Sequence, residues 1–234
     1  MIISCVKWGD KYSCDHVNRL YAMCKKNYTG EFRFICHTED SFGIIPDIEI
    51  KPLNTELDLE KWWWKLTLFE HPTKNITLFL DLDVVIQNNI THLKNYCVEN
   101  MLCLIKAYWK SYELKQFDTN LNSSVMIWKG DYTNIWNKFK KDLDYYMLKY
   151  NGIDGYLDHN QHKKLLYIPE KIVYSRLYGI DKNNYWKAGS KIKPSYFYAP
   201  NYDICIFNGW RRKKSITGKW LLDNDRYDDF EKYY

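Results

Sequence analysis

The spacing of apolar and polar positions changes along the chain in a readable order. Ile2 to Val6 is a short apolar run ending at Trp8-Gly9-Asp10, after which Val17, Leu20, Tyr21 and Cys24 recur at i, i+3, i+4 and i+7. This predicts a strand, a turn and an amphipathic helix capped by Asp15. Asn27-Tyr28-Thr29-Gly30 ends the helix, and Phe32 to Cys36 is a second strand. A strand-helix-strand opening implies a parallel sheet. Ile48 to Ile50 predicts a third strand broken by Pro52, and Trp62, Leu66 and Phe69 form a helical stripe that stops before Pro72. Ile76 to Leu80 is an apolar strand running into Asp81-Leu82-Asp83, and Met101 to Lys106 and Ser124 to Trp128 are further strands. Ile135, Trp136, Phe139, Leu143, Tyr146, Met147 and Tyr150 fit one long helix capped by Asp131 or Thr133. Leu165 to Ile168 and Asp203 to Phe207 are late strands, and no repeat or linker divides the chain. The expectation is one α/β domain over residues 1–234, with a mixed, mainly parallel sheet flanked by helices and a peripheral tail from about 219.

Composition narrows the picture. Hydrophobic residues at 46 % and charged residues at 27 % exclude a disordered chain, and 234 residues can bury a full core without disulfides. A net charge of +5, evenly spread, gives no argument for nucleic acid and only a modest attraction for phosphates. Twenty-one Tyr, 10 Trp and 10 Phe can stack on sugars and bases or simply fill a core. No apolar run reaches a membrane-spanning length, and Met1-Ile2-Ile3-Ser4 leads into a strand with no basic leader. Seven cysteines with no C-x2-C pair favour reduced thiols and a cytoplasmic location, where the four N-x-S/T triplets carry no meaning.

The sharpest chemical signal is Asp81-Leu82-Asp83. D-x-D also occurs at Asp142/Asp144 and Asp223/Asp225, so the tripeptide alone carries little. Asp142 and Asp144 fall within the long helical pattern, where residues two apart diverge by about 200°, and Asp223 and Asp225 fall in the polar tail. Only the first pair follows an apolar strand, Leu78-Phe79-Leu80, and precedes another apolar stretch, Val84-Val85-Ile86. A strand would place both carboxylates on one face at the carboxyl edge of the sheet, where hard oxygen ligands suit Mn²⁺ or Mg²⁺ bridging a diphosphate.

With these residues in view, the sequence resembles the nucleotide-sugar-dependent glycosyltransferases of the GT-A fold, most closely the glycogenin and galactosyltransferase group called glycosyltransferase family 8. The resemblance runs from residue 2 to about 214. Val6-Lys7-Trp8-Gly9-Asp10-Lys11-Tyr12 looks like the strand and turn that hold the nucleotide base, and Trp64-Lys65-Leu66 like the basic segment before the metal strand. Leu80-Asp81-Leu82-Asp83 looks like the family's D-x-D, and Asn122-Ser123-Ser124-Val125-Met126 resembles its N-S-G-V strand at the donor sugar. Asn160-Gln161 and Phe207-Asn208-Gly209 fall where the family has a D-Q pair and a histidine-containing turn before a basic segment. The resemblance implies metal ligands at Asp81, Asp83 and Asn208, substrate contacts from Val6, Lys7, Tyr12, Lys65, Asp81, Asn122, Ser123, Gly209 and Arg211, and catalytic roles among Lys65, Asp158, Asn160 and Gln161. It also implies a nucleoside diphosphate sugar donor, with uridine expected, a glycan, lipid or protein acceptor, and retention at the anomeric carbon.

Two departures mark this chain. Asn160 stands where the family has Asp, and an amide orients a hydroxyl but cannot act as a carboxylate nucleophile, a task that neighbouring Asp158 can take. No histidine follows His162, so Asn208 is the nearest third metal ligand. His159 and His162, three apart, have a spacing that can bind metal or simply decorate a helix. The departures leave open a silent relative that only binds sugar or nucleotide. A nucleotidyltransferase would show a glycine-rich basic signature after the first strand, which Lys7-Trp8-Gly9-Asp10 lacks.

Overall fold

The computed structural model describes residues 1–110, 119–160, 164–185, 197–208 and 233. Ten strands and four α-helices are found among them: β1 (Ile2–Lys7), α1 (Cys14–Asn27), β2 (Arg33–Thr38), β3 (Glu49–Pro52), β4 (Thr73–Leu80), β5 (Val84–Ile86), β6 (Met101–Lys106), β7 (Leu121–Gly130), α2 (Thr133–Phe139), α3 (Leu143–Lys149), α4 (Ile153–Asn160), β8 (Lys164–Tyr167), β9 (Val173–Ser175) and β10 (Ile204–Ile206). Seven strands form one sheet in the order β3-β2-β1-β4-β7-β6-β8, and β5, β10 and β9 form a second, small one. Only β7 runs against its neighbours β4 and β6 in the large sheet. The carboxyl ends of β1, β2, β4, β6 and β8 and the start of β7 therefore share one edge.

Both faces of the large sheet are covered, which explains why its central strands read as continuous apolar runs. Alternate residues serve opposite faces. Leu78, Leu80, Val125, Ile127, Cys103 and Ile105 enter one core with Val17, Leu20 and Cys24 of α1. Phe79, Met126, Trp128, Leu102 and Leu104 enter the other with Ile135, Trp136 and Phe139 of α2 and Tyr156 and Leu157 of α4. Much of the aromatic content is core: Trp63 stacks on Phe139 at 5.2 Å, and Trp64 and Tyr156 are fully buried.

Several local expectations are corrected. Ser13, not Asp15, caps α1, its backbone amide donating to His16 Nδ1 at 3.2 Å; Asp15 lies in the first turn, where a carboxylate suits the helix dipole. The stripe around Trp62 to Phe69 is a 3-10 segment, Lys61–Phe69. The long helix over 135–150 is two helices, because Asp142 caps a new one by accepting from the Tyr145 amide at 3.1 Å. The apolar periodicity runs through that break and hides it. Pro52 ends β3 without breaking it, as an edge strand permits. Among the described residues no helix is long and apolar enough to cross a membrane.

Candidate active site

β4 ends at Leu80, so Asp81 and Asp83 do not lie on the face of a strand as the alternation predicts. They occupy the turn that carries the chain from the large sheet into β5 of the small one. Two backbone bonds fix this turn: the Asp81 amide donates to the Ser124 carbonyl at 2.9 Å, and the Phe207 amide donates to the Asp83 carbonyl at 2.9 Å. The first ties it to the start of β7, and the second brings the segment after β10, with Asn208, beside it.

Each carboxylate has a positioned partner. Lys65 Nζ donates to Asp81 Oδ2 at 2.7 Å and to Ser123 Oγ at 3.4 Å, and the Tyr12 hydroxyl donates to Asp83 Oδ2 at 3.2 Å. Lys65 is buried, held in the 3-10 segment between Trp64 and Leu66, with Nζ 5.4 Å from the centre of the Phe79 ring. Burial lifts Asp81 above the usual carboxylate range; the Lys65 ammonium pulls it back, and Asp83 pushes it up again. Asp83 Oδ1 is buried with no hydrogen-bond partner among the described residues. A buried carboxylate oxygen left unpaired is costly, and a cation would relieve that cost. Two hard carboxylates therefore fit Mn²⁺ or Mg²⁺, with further ligands needed from outside the pair, because the described residues contain no cluster of three His, Cys, Asp or Glu arranged for a metal.

The remaining expected residues fall in three places. On the β1–β2 side of the same edge, Lys7 is buried with Nζ 3.2 Å from the Asp40 carbonyl, and Val6 lies beside His37 in the parallel ladder. Gly9, at φ 63°, turns the chain there and donates its amide to Glu39 Oε1 at 2.6 Å. On the β7 side, Asn122 Oδ1 accepts from the Ser124 amide at 3.0 Å, and Ser123 contacts Lys65. Just after β10, Asn208 Oδ1 accepts from Ser175 Oγ at 2.6 Å, so its amide oxygen already has a partner beside the Asp83 turn. Gln161, His162, Gly209, Arg211 and the Asp223/Asp225 pair lie outside the described residues.

α4 presents different residues from those the D-Q resemblance selects. Asn160 is buried in the last turn, its amide donating to the Tyr156 carbonyl of its own helix at 3.1 Å. Asp158 accepts from Thr119 Oγ1 at 2.7 Å, just before β7. Asp154, in the first turn, is the α4 residue joined to the network: its Oδ1 accepts from the Ser123 amide at 3.0 Å and its Oδ2 from Lys110 Nζ at 2.6 Å. Burial works to raise Asp154, but Lys110 and Lys65 outweigh it and hold the carboxyl below the usual range. Neither Asp154 nor Lys110 was selected from the sequence. Lys110 carries no local signal between an aromatic pair and a polar stretch, whereas Asp154 could have been found as the acid that follows Gly152 at a helix start.

No protein-family model matches the sequence, and no curated protein sequence does. Solved structures do match. The galactosyltransferase LgtC, in complex with donor and acceptor sugar analogues, superposes with a TM-score of 0.60 at 13% identity over 98% of this chain and 94% of that one. The bifunctional glycosyltransferase WbbM in its apo form gives 0.55 at 8% identity over 88% and 45%, and the glycosyltransferase GlyE of Streptococcus pneumoniae TIGR4 gives 0.53 at 10% over 74% and 47%. Identities this low show a shared fold. The mainly parallel sheet flanked by helices, with the small sheet beside its carboxyl edge, is the GT-A glycosyltransferase fold.

Proposed function

We propose that the protein is a metal-dependent glycosyltransferase that moves a sugar from a nucleoside diphosphate sugar, with uridine as the expected base, to a glycan, lipid or protein acceptor. The observation that carries this reading is the meeting of Asp81, Asp83, Lys65 and Ser123 at one edge of a sheet whose fold is shared with glycosyltransferases. A diphosphate leaving group gains negative charge as the glycosidic bond breaks, so a site that binds that charge lowers the barrier. A bound Mn²⁺ or Mg²⁺ would supply Lewis-acid stabilisation of the diphosphate. Asp81 and Asp83 would hold the ion, with Asn208 adjacent. Lys65 adds a fixed positive charge, and its bond to Asp81 offsets part of the cost that burial puts on that carboxylate's charge. Tyr12 anchors the loop after β1 to Asp83, which connects the nucleotide side of the edge to the carboxylate pair. Ser123 and Asn122 offer hydroxyl and amide groups to the sugar. Asp158, one of whose oxygens accepts from Thr119, is the α4 carboxylate that would take the catalytic role Asn160 cannot fill.

Seven free thiols support a reducing, cytoplasmic setting. The decisive test is a panel of nucleoside diphosphate sugars with Mn²⁺, scored for released nucleoside diphosphate with and without mixed glycan and lipid acceptors. Turnover that stops when Mn²⁺ is chelated is expected. Tight Mn²⁺-dependent nucleotide binding without turnover for any donor would mean a silent binding relative, and release of pyrophosphate would mean nucleotidyl transfer.

A further inference from the structure

Two lysine–carboxylate pairs, each a buried lysine with a partly buried carboxylate, stand side by side at the start of β7. Lys65 is 2.7 Å from Asp81, and Lys110 is 2.6 Å from Asp154. Ser123 joins them, its hydroxyl taking a bond from Lys65 and its amide giving one to Asp154. The ladder explains why that amide is available. β6 and β7 pair at Leu104 with Met126 and next at Ile105 with Asn122, so Ser123, Ser124 and Val125 bulge out against a single step of β6. A bulge leaves its amides without ladder partners, and each must be satisfied some other way. Here the Ser124 amide uses Asn122 Oδ1 and the Ser123 amide uses Asp154. Lys110 also donates to the Leu121 carbonyl at 2.5 Å, and the Leu121 amide is held by Thr119 Oγ1 at 3.0 Å.

Buried ion pairs of this kind add little stability compared with well-packed apolar residues, because both charges lose their hydration. Their presence beside the carboxylate turn calls for another explanation. Lys65 touches Asp81 directly at 2.7 Å and reaches Asp154 through one residue, Ser123, whose hydroxyl is 3.4 Å from Lys65 Nζ and whose amide is 3.0 Å from Asp154 Oδ1. With one lysine and two partly buried carboxylates, Lys65 would be divided between them. We propose that Lys110 is a positioning residue: by neutralising Asp154 it reserves Lys65 for Asp81 and fixes the bulged Ser123 between the two pairs. Its effect on turnover rests on the glycosyltransferase reading, whereas its effect on Lys65 does not.

The test is a crystal structure of Lys110→Met together with donor turnover. In that variant Asp154 loses its own cation and Lys65 is expected to leave Asp81 Oδ2 for Asp154, with turnover falling by about tenfold or more. Lys110→Arg, which keeps the charge, should hold Lys65 on Asp81. The double variant Lys110→Met/Asp154→Asn removes the competing carboxylate, so Lys65 should return to Asp81 and turnover should recover to that of Asp154→Asn alone. The double variant carries no unpaired buried charge, so it tests the idea even if Lys110→Met fails to fold. A Lys65–Asp81 contact that survives at 2.7 Å in Lys110→Met, or that is lost in the double variant, overturns the proposal. If the wild type turns over no donor, the glycosyltransferase reading falls, and the position of Lys65 in the variant structures still decides the role of Lys110.

Discussion

Asp81/Asp83 and Asp142/Asp144 share one tripeptide pattern and have opposite fates. The first pair sits on a half-buried turn between two sheets, with Lys65 on one carboxylate, Tyr12 on the other, and one carboxylate oxygen buried with no hydrogen-bond partner among the described residues. The second pair sits at the exposed start of α3, where Asp142 caps the helix and Asp144 occupies its first turn. Both carboxylates of the second pair are exposed and Asp142 accepts from the Tyr145 amide, so neither carries the burial cost that a cation would relieve. The difference lies in what the preceding strand does: β4 delivers its end into a place where both sheets and β7 exclude solvent.

The largest expected effect separates the two pairs. Asp83→Ala should weaken Mn²⁺-dependent binding of nucleoside diphosphate by at least the ~100-fold at the top of the range for residues that merely orient a ligand, and chelating the metal from the wild type should reproduce that loss. Titration calorimetry checks it, and unchanged affinity would remove the site from this turn. Lys65→Ala comes next. It leaves Asp81 buried without its ammonium, a change that costs about 3–5 kcal/mol for a fully buried pair and less here, since the Asp81 side chain is 20% exposed. Both the melting temperature and turnover should fall, and a variant that loses stability alone would make Lys65 structural. Asn208→Ala should raise the Mn²⁺ needed for half-maximal binding severalfold, with Ser175→Ala as the comparison that frees the same amide oxygen without removing it. If both variants titrate like the wild type, the segment after β10 contributes no ligand. At the small end, Asp142→Ala should cost about 1 kcal/mol through the lost cap, seen in denaturant unfolding, and should leave nucleotide binding intact. Asp144→Ala should change neither measurement; an effect of Asp144 on Mn²⁺ binding would break the contrast between the pairs.

The sequence carried much of the frame and only part of the site. β1 and β6 could be read almost to the residue, since a buried parallel strand is a short apolar run bounded by polar turns. β9 was missed: three residues, Val173–Ser175, are too few to show a period. The 140–142 break was missed because core positions on α2 and the partly buried Leu143, Tyr146 and Met147 of α3 keep one helical rhythm across it. Within the site, Asp81 and Asp83 stood out by the apolar strand that precedes them, and Lys65 by the resemblance that Trp64-Lys65-Leu66 carries. The Lys110–Asp154 pair was not, because its partners lie 44 residues apart and meet only when α4 docks on β7.

The small sheet has a kinetic meaning as well. β5 follows the carboxylate turn directly, yet its partner is β10, so Val84 waits for Ile206 across about half the chain. Closing so long a loop is entropically costly and is compensated only when the contacts form, which places this pairing late in folding. Until β10 arrives, the Phe207 amide is absent from the Asp83 carbonyl and the turn stays open to water. A late-docking strand thus covers the Asp83 turn, and a chain stalled before that step would carry both aspartates as ordinary hydrated carboxylates, folded over most of the large sheet.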